Sequence, residues 1–326
     1  MIVSSDNHAI IQLVPVIICG SLHICGPCRW VLSASSGSLT TNMNANSLIY
    51  VFPGQGTQVP GMGDGLFEKF PDITRAADET LGYSIKTLCL DNPDNKLNQT
   101  EYTQPALYTV NAMTYLSIKQ ETGQVPDFVA GHSLGEYNAL FASGAFDFVS
   151  GLRLVQKRGE LMAQATGGGM AAIIGLTRDQ IRDVMLLYGS PDVSIANLNS
   201  PKQTVISGSM SVINDIQSSF EEAGAKLFLP LPVSGAFHSR FMESARRQFE
   251  AFLKSFQFNR PNIPVISNVE ASPYPNGGIA ELLAKQVTSP VRWVESMQYL
   301  LRQPNPTFKE IGPGDTLQTL LHYIMN

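Results

Sequence analysis

From residue 47 onward the chain alternates short apolar runs with longer amphipathic stretches. Leu48-Ile49-Tyr50-Val51-Phe52 and Asp127-Phe128-Val129-Ala130 have the length and continuity of buried strands. Helices are expected over 62–81 and 104–119, the second with Thr103 as N-cap and Pro105 in its first turn. Two more follow over 136–145 and 149–165, the latter carrying Arg153, Lys157 and Arg158. Gly167-Gly168-Gly169 then breaks the pattern. Beyond it come a strand (170–176), a helix (177–188), two strands (193–197 and 203–207) around an Asn-Ser-Pro turn, a helix (211–223) and a strand (226–232). This β-α-β-β-α-β succession is the ferredoxin-like arrangement. After it a helix (240–256), a strand (263–268), helices over 279–286 and 296–302, a last strand ending in Gly312-Pro313-Gly314 and a closing helix (317–324) complete the chain.

The first 46 residues are of another kind. Residues 9–24 are apolar but interrupted by Pro15 and Gly20, and fall short of the roughly 20 residues a spanning helix needs. No Lys or Arg precedes Arg29, which argues against a signal peptide. Residues 33–46 are a Ser/Thr/Asn/Gly linker. Cys25-Gly26-Pro27-Cys28 has redox-motif spacing but too little chain before it for the fold that motif requires, and reads as coincidence. The segment 1–46 is therefore expected to be a leader outside the fold, with Met43 as an alternative start.

Composition narrows the class. Of 326 residues 44% are hydrophobic and 15% charged, the mark of a packed soluble protein. A net charge of −5 without a basic block disfavours nucleic-acid binding. Four cysteines in this length do not make a disulfide scaffold, so a cytoplasmic protein without a membrane span is expected.

The chemistry centres on Gly131-His132-Ser133-Leu134-Gly135-Glu136-Tyr137. It holds G-x-S-x-G between a strand and a helix, the setting of a nucleophile elbow. Glycines on both sides permit a strained turn, and the serine lies at a helix N-terminus where free N–H groups gather. The expected fold is α/β: an α/β-hydrolase-like large subdomain with a parallel sheet (47–167 and 234–326) and an inserted ferredoxin-like small subdomain (168–233). Ser133 needs a base, and the chain has five histidines. His8 and His23 lie in the leader, His132 should point away across the turn, and His322 sits on the closing helix. His238, in the loop where the chain re-enters the large subdomain, is the best placed. Pro53-Gly54-Gln55-Gly56-Thr57-Gln58 follows the first strand, at the sheet edge where ligands bind, though by itself it equally suits an ordinary turn.

These stretches, together with Gln156-Lys157-Arg158-Gly159, Asn197-Leu198-Asn199-Ser200-Pro201, Gly235-Ala236-Phe237-His238 and Ser289-Pro290-Val291-Arg292-Trp293, stand in the order seen in acyltransferases. Over residues 47–326 the chain resembles malonyl-CoA:acyl carrier protein transacylases, especially the free-standing enzymes that serve polyketide synthases lacking built-in acyltransferase domains. The resemblance implies an S-malonyltransferase of polyketide or fatty-acid biosynthesis, with Ser133 as acylated nucleophile and His238 as its base. It implies an oxyanion hole from the N–H groups of Gln55 and Leu134, and a Gln286 carbonyl orienting the histidine. Arg158 would bind the malonyl carboxylate, with Phe237 and His132 also at the substrate. Leu134 and Phe237 match the malonyl-type pattern rather than the methylmalonyl-type one. No cofactor is implied; malonyl-CoA is a substrate, the acceptor is an acyl carrier protein or carrier domain, and a monomer is expected. Arg240, Arg246 and Arg247 are candidates for a positive docking patch. The alternative is an acyl hydrolase that clears carrier proteins, whose relatives tend to lack the arginine.

Overall fold

The computed structural model describes residues 46–326 other than Ser234. The leader, its Cys-x-x-Cys pair, His8 and His23 lie outside the described residues. Strands β1 (Leu48–Phe52), β2 (Phe128–Gly131), β3 (Gly168–Ile174), β4 (Val193–Ser200), β5 (Gln203–Ser209), β6 (Leu227–Pro230), β7 (Val265–Ile266) and β8 (Thr307–Glu310) form two sheets. The first is parallel throughout, in the order β7-β2-β1-β8; the second is antiparallel, in the order β4-β5-β3-β6.

The parallel sheet is covered on both faces, as parallel sheets require. Strand periodicity divides the cover. Tyr50 and Phe52 of β1 face the helices Thr100–Thr122, Gly135–Ala142 and Phe148–Ala163; Ile49 and Val51 face Trp293–Leu301 and Thr316–Met325. In the antiparallel sheet Ala171 and Ile173 pack against the helix Arg178–Tyr188, which Thr177 closes with a capping box. Met170 and Ala172 point the other way, into the cleft between the sheets.

The helix expected from residue 104 begins instead at Thr100, with Gln99 as cap. Pro105 then lies in the second turn, where it forfeits a main-chain bond. The turn before it is secured otherwise: Thr103 donates its hydroxyl to the carbonyls of Leu97 (2.6 Å) and Gln99 (2.9 Å). Burial of every side chain from Thr103 to Met113 outweighs the lost bond. A helix over Ile85–Leu90, capped by Ser84, went unpredicted, and the helix expected over 211–223 is two pieces, Met210–Asp215 and Gln217–Glu222.

The sheets are joined beside the site. β4 pairs in parallel with Val291: the Leu198 N–H donates to the Val291 carbonyl (2.9 Å) and the Val291 N–H to the Ala196 carbonyl (2.8 Å).

Candidate active site

The two loops that leave the carboxyl ends of neighbouring strands β1 and β2 build the floor of a cleft of about 530 Å³. They touch backbone to backbone. A Cβ on Gly54 would lie 2.4 Å from the His132 carbonyl oxygen, and one on Gly135 would lie 2.1 Å from that of Phe52. Only glycine permits this approach, which brings Gln55 beside the elbow.

Ser133 adopts φ 51°, the left-handed strain expected of a nucleophile elbow. Its own backbone is held at both ends: its N–H donates to Asn268 Oδ1 (2.7 Å), and its carbonyl accepts from Gln286 Nε2 (2.8 Å). Asn268, just past β7, also donates through Nδ2 to the Gly131 carbonyl (2.6 Å). Beyond the serine, no acceptor meets the N–H groups of Gln55 and Leu134 among the described residues.

His238, also at positive φ (57°), lies across the chain fold from Ser133 with Nε2 2.8 Å from Oγ. Its Nδ1 faces two carbonyls, those of Gln286 (3.0 Å) and Ser289 (3.1 Å). Two acceptors at Nδ1 place the proton there, leaving the Nε2 lone pair for the serine hydroxyl. Burial, and after it the Arg158 cation, pulls the His238 pKa down to about 3. The ring is thus a neutral base at neutral pH. In an NMR titration of ring-labelled protein it should protonate only well below the ordinary imidazole value of ~6.5. An inflection for this ring near that value would show that burial does not govern it.

Arg158 is 2% exposed, with its guanidinium over the Tyr137 ring. It donates to Gln104 Oε1 (2.7 Å), Gln286 Oε1 (2.9 Å) and Ser133 Oγ (3.1 Å), all neutral, and its Nε meets no partner. Among the described residues no carboxylate touches this buried cation, so its fork lacks a contacting anion, and burial of a charge is costly unless it is paired. Gln104 continues the chain outward: its Nε2 donates to Thr100 Oγ1 (3.0 Å), which donates to Gln55 Oε1 (2.9 Å).

Phe237 and Leu134 are buried against the cleft. His132 does not simply point away. It packs edge-on against Trp293 and its Nε2 meets Asn199 Oδ1 (2.8 Å), so it lines the cleft on the β4 side. His322 stays on the closing helix, where it meets Asn326 and the Tyr323 ring and is not among the residues that line the cleft.

Asn268, Gln104, Thr100, Ser289 and Glu136 went unrecognised as site residues. Glu136 and Ser289 stood inside quoted motifs without a role, and Asn268 was only the last residue of the strand expected over 263–268. The proposed positive patch fares less well. Arg240 pairs with Asp192, Arg246 with Glu243 and Glu250, and Arg247 with Glu243, so three carboxylates neutralise the three cations. Among the described residues no helix is long and apolar enough to cross a membrane.

Residues 49–323 match the family described as acyl transferase domain. The chain is 55% identical over 282 residues to the polyketide biosynthesis malonyl CoA-acyl carrier protein transacylase BaeC of Bacillus velezensis, covering 86% of this chain and 97% of that one. Among solved structures, it is 50% identical to a malonyl CoA-acyl carrier protein transacylase from Burkholderia pseudomallei, with a TM-score of 0.83 over 86% and 98% of the two chains. It is also similar (36% identity, TM-score 0.82, 86% and 93% covered) to a malonyl-transacylase solved in complex with its type II polyketide acyl-carrier protein.

Proposed function

The chain belongs to the acyl transferase domain family, and on that premise we propose that it moves malonyl from malonyl-CoA to the phosphopantetheine thiol of an acyl carrier protein through an acyl-Ser133 intermediate. One observation carries this reading. Ser133 Oγ sits between a neutral base at 2.8 Å and, at 3.1 Å, a buried guanidinium that no carboxylate touches among the described residues.

The steps follow from those contacts. As Oγ attacks the thioester carbonyl, His238 Nε2 takes the serine proton, and the free N–H groups of Gln55 and Leu134 stabilise the oxyanion. Collapse of the tetrahedral species breaks the carbon–sulfur bond, and His238 returns the proton to the departing CoA thiolate. In the second half His238 takes the proton of the carrier thiol, the sulfur attacks the seryl ester, and Ser133 leaves with that proton. Arg158 holds the malonyl carboxylate in its fork throughout. Phe237 fills the space that an α-methyl branch would need. The residues call on no cofactor; CoA enters and leaves as part of the substrate.

The same reading assigns residues 47–167 and 234–326 to an α/β-hydrolase-like subdomain and 168–233 to a ferredoxin-like insert, working as a monomer. Its acceptor is a free carrier protein or a carrier domain of a polyketide synthase. A carrier-clearing hydrolase fits less well, since an uncharged acyl group leaves Arg158 unpaired. Intact-protein mass spectrometry after brief exposure to malonyl-CoA tests the proposal. A malonyl adduct that a carrier protein then discharges is expected. Rapid release of free malonate, with none passed on, would favour the hydrolase.

A further inference from the structure

Behind Ser133 lies a carboxylate that the mechanism above leaves unused. Glu136 opens the elbow helix and is fully buried. Oε1 accepts from the Tyr274 hydroxyl (2.6 Å) and from the Asn268 N–H (3.1 Å); Oε2 accepts from Gln286 Nε2. Burial pushes its pKa up to about 7, against the pull of these donors. The nearest cation is not in contact with it. Gln286 stands between them, giving Nε2 to Glu136 and to the Ser133 carbonyl while Oε1 accepts from Arg158.

That arrangement fixes which way the Gln286 amide faces. Reversed, its nitrogen would confront the guanidinium, donor against donor. Its oxygen would confront the Ser133 carbonyl and the carboxylate, acceptor against acceptor. A carboxylate touching Arg158 directly would fill the fork and compete with substrate; one set behind an amide compensates the charge and leaves the fork open. Building on the malonyl reading, we propose that Glu136 is a positioning residue for acyl selectivity, holding the Gln286 side chain so that Arg158 faces the cleft in the pose that receives a carboxylate.

Glu136→Gln changes neither shape nor volume, yet it cannot satisfy the same three donors. With its oxygen toward Tyr274 and Asn268, its NH₂ meets Gln286 Nε2 and drives that amide to reverse, withdrawing an acceptor from Arg158. The main-chain carbonyl that His238 uses is untouched by this. Single-turnover acylation by malonyl-CoA and by acetyl-CoA, at a pH above 8 where the wild type is ionised, measures the effect. The malonyl-over-acetyl ratio of kcat/KM is expected to fall about 10-fold or more, in line with the effect of small misplacements of a positioning group. Tyr274→Phe removes a different donor from the same carboxylate and should leave the ratio within ~3-fold of the wild type. Gln286→Met should lower the ratio as Glu136→Gln does, and the double variant should be no worse than either, because both break one path. Equal ratios in Glu136→Gln and the wild type, or an equal fall in Tyr274→Phe, would overturn the proposal, and Gln286→Met decides it should Glu136→Gln fail to fold. A wild type that takes both acyl groups at equal rates would sink the malonyl reading itself, and this inference with it.

Discussion

Ser133→Ala is expected to abolish acyl transfer, lowering kcat by ~10⁴-fold or more, as removal of a nucleophile does in other serine enzymes. The oxygen that leaves is the atom that meets His238 Nε2 and Arg158 Nη2 together. The base keeps its tautomer, because the two carbonyls at Nδ1 lie on another part of the chain. Arg158 keeps its bonds to Gln104 and Gln286. Malonyl-CoA should therefore still bind, with Kd within a few-fold of the KM-limited wild-type value, while the covalent adduct vanishes from the mass spectrum. A persistent adduct would place the nucleophile elsewhere.

Arg158→Ala should lower kcat/KM for malonyl-CoA by on the order of 10²- to 10³-fold, the range of a lost buried charge pair. Acetyl-CoA should lose far less, because it never met the guanidinium's charge, and its kcat/KM can rise once the unpaired cation is gone. The split between the two substrates is the readout. A parallel loss for both would mean that Arg158 supports the elbow rather than the carboxylate. The His238 ring offers a second check: with the neighbouring cation removed its pKa should rise, so that protonation shuts the base off at a higher pH than in the wild type.

Much of this site was legible in the chain, but unevenly. Strands β1 and β2 and the elbow between β2 and its helix were readable because a continuous apolar run meeting G-x-S-x-G is a local pattern. His238 emerged from its place in the re-entry loop, from exclusion among five histidines and from the resemblance, since a loop residue carries no period. Arg158 emerged only through resemblance. An arginine on an amphipathic helix reads as solvated, and that it is buried depends on Tyr137, Gln104 and Gln286, 21, 54 and 128 positions away. Glu136 was misleading in the same sense. An acidic residue in the first turn of a helix suggests a partner for the helix dipole, whereas here it lies beneath the site, meeting groups more than 130 positions along the chain. The late start of the helix at 104 was a misreading with the same origin. Thr100, Thr103 and Gln104 are polar residues buried for reasons that no propensity expresses.

The pairing of β4 with Val291 has a consequence for what this cleft can admit. One wall belongs to the antiparallel sheet, the other to the elbow and its histidine, and two main-chain bonds tie the first wall to the segment that follows Ser289. Walls riveted together in this way cannot yawn apart like jaws without disturbing the imidazole's own anchorage. On the proposed reading, an acyl group too stout for the gap would have to break these two bonds to widen it.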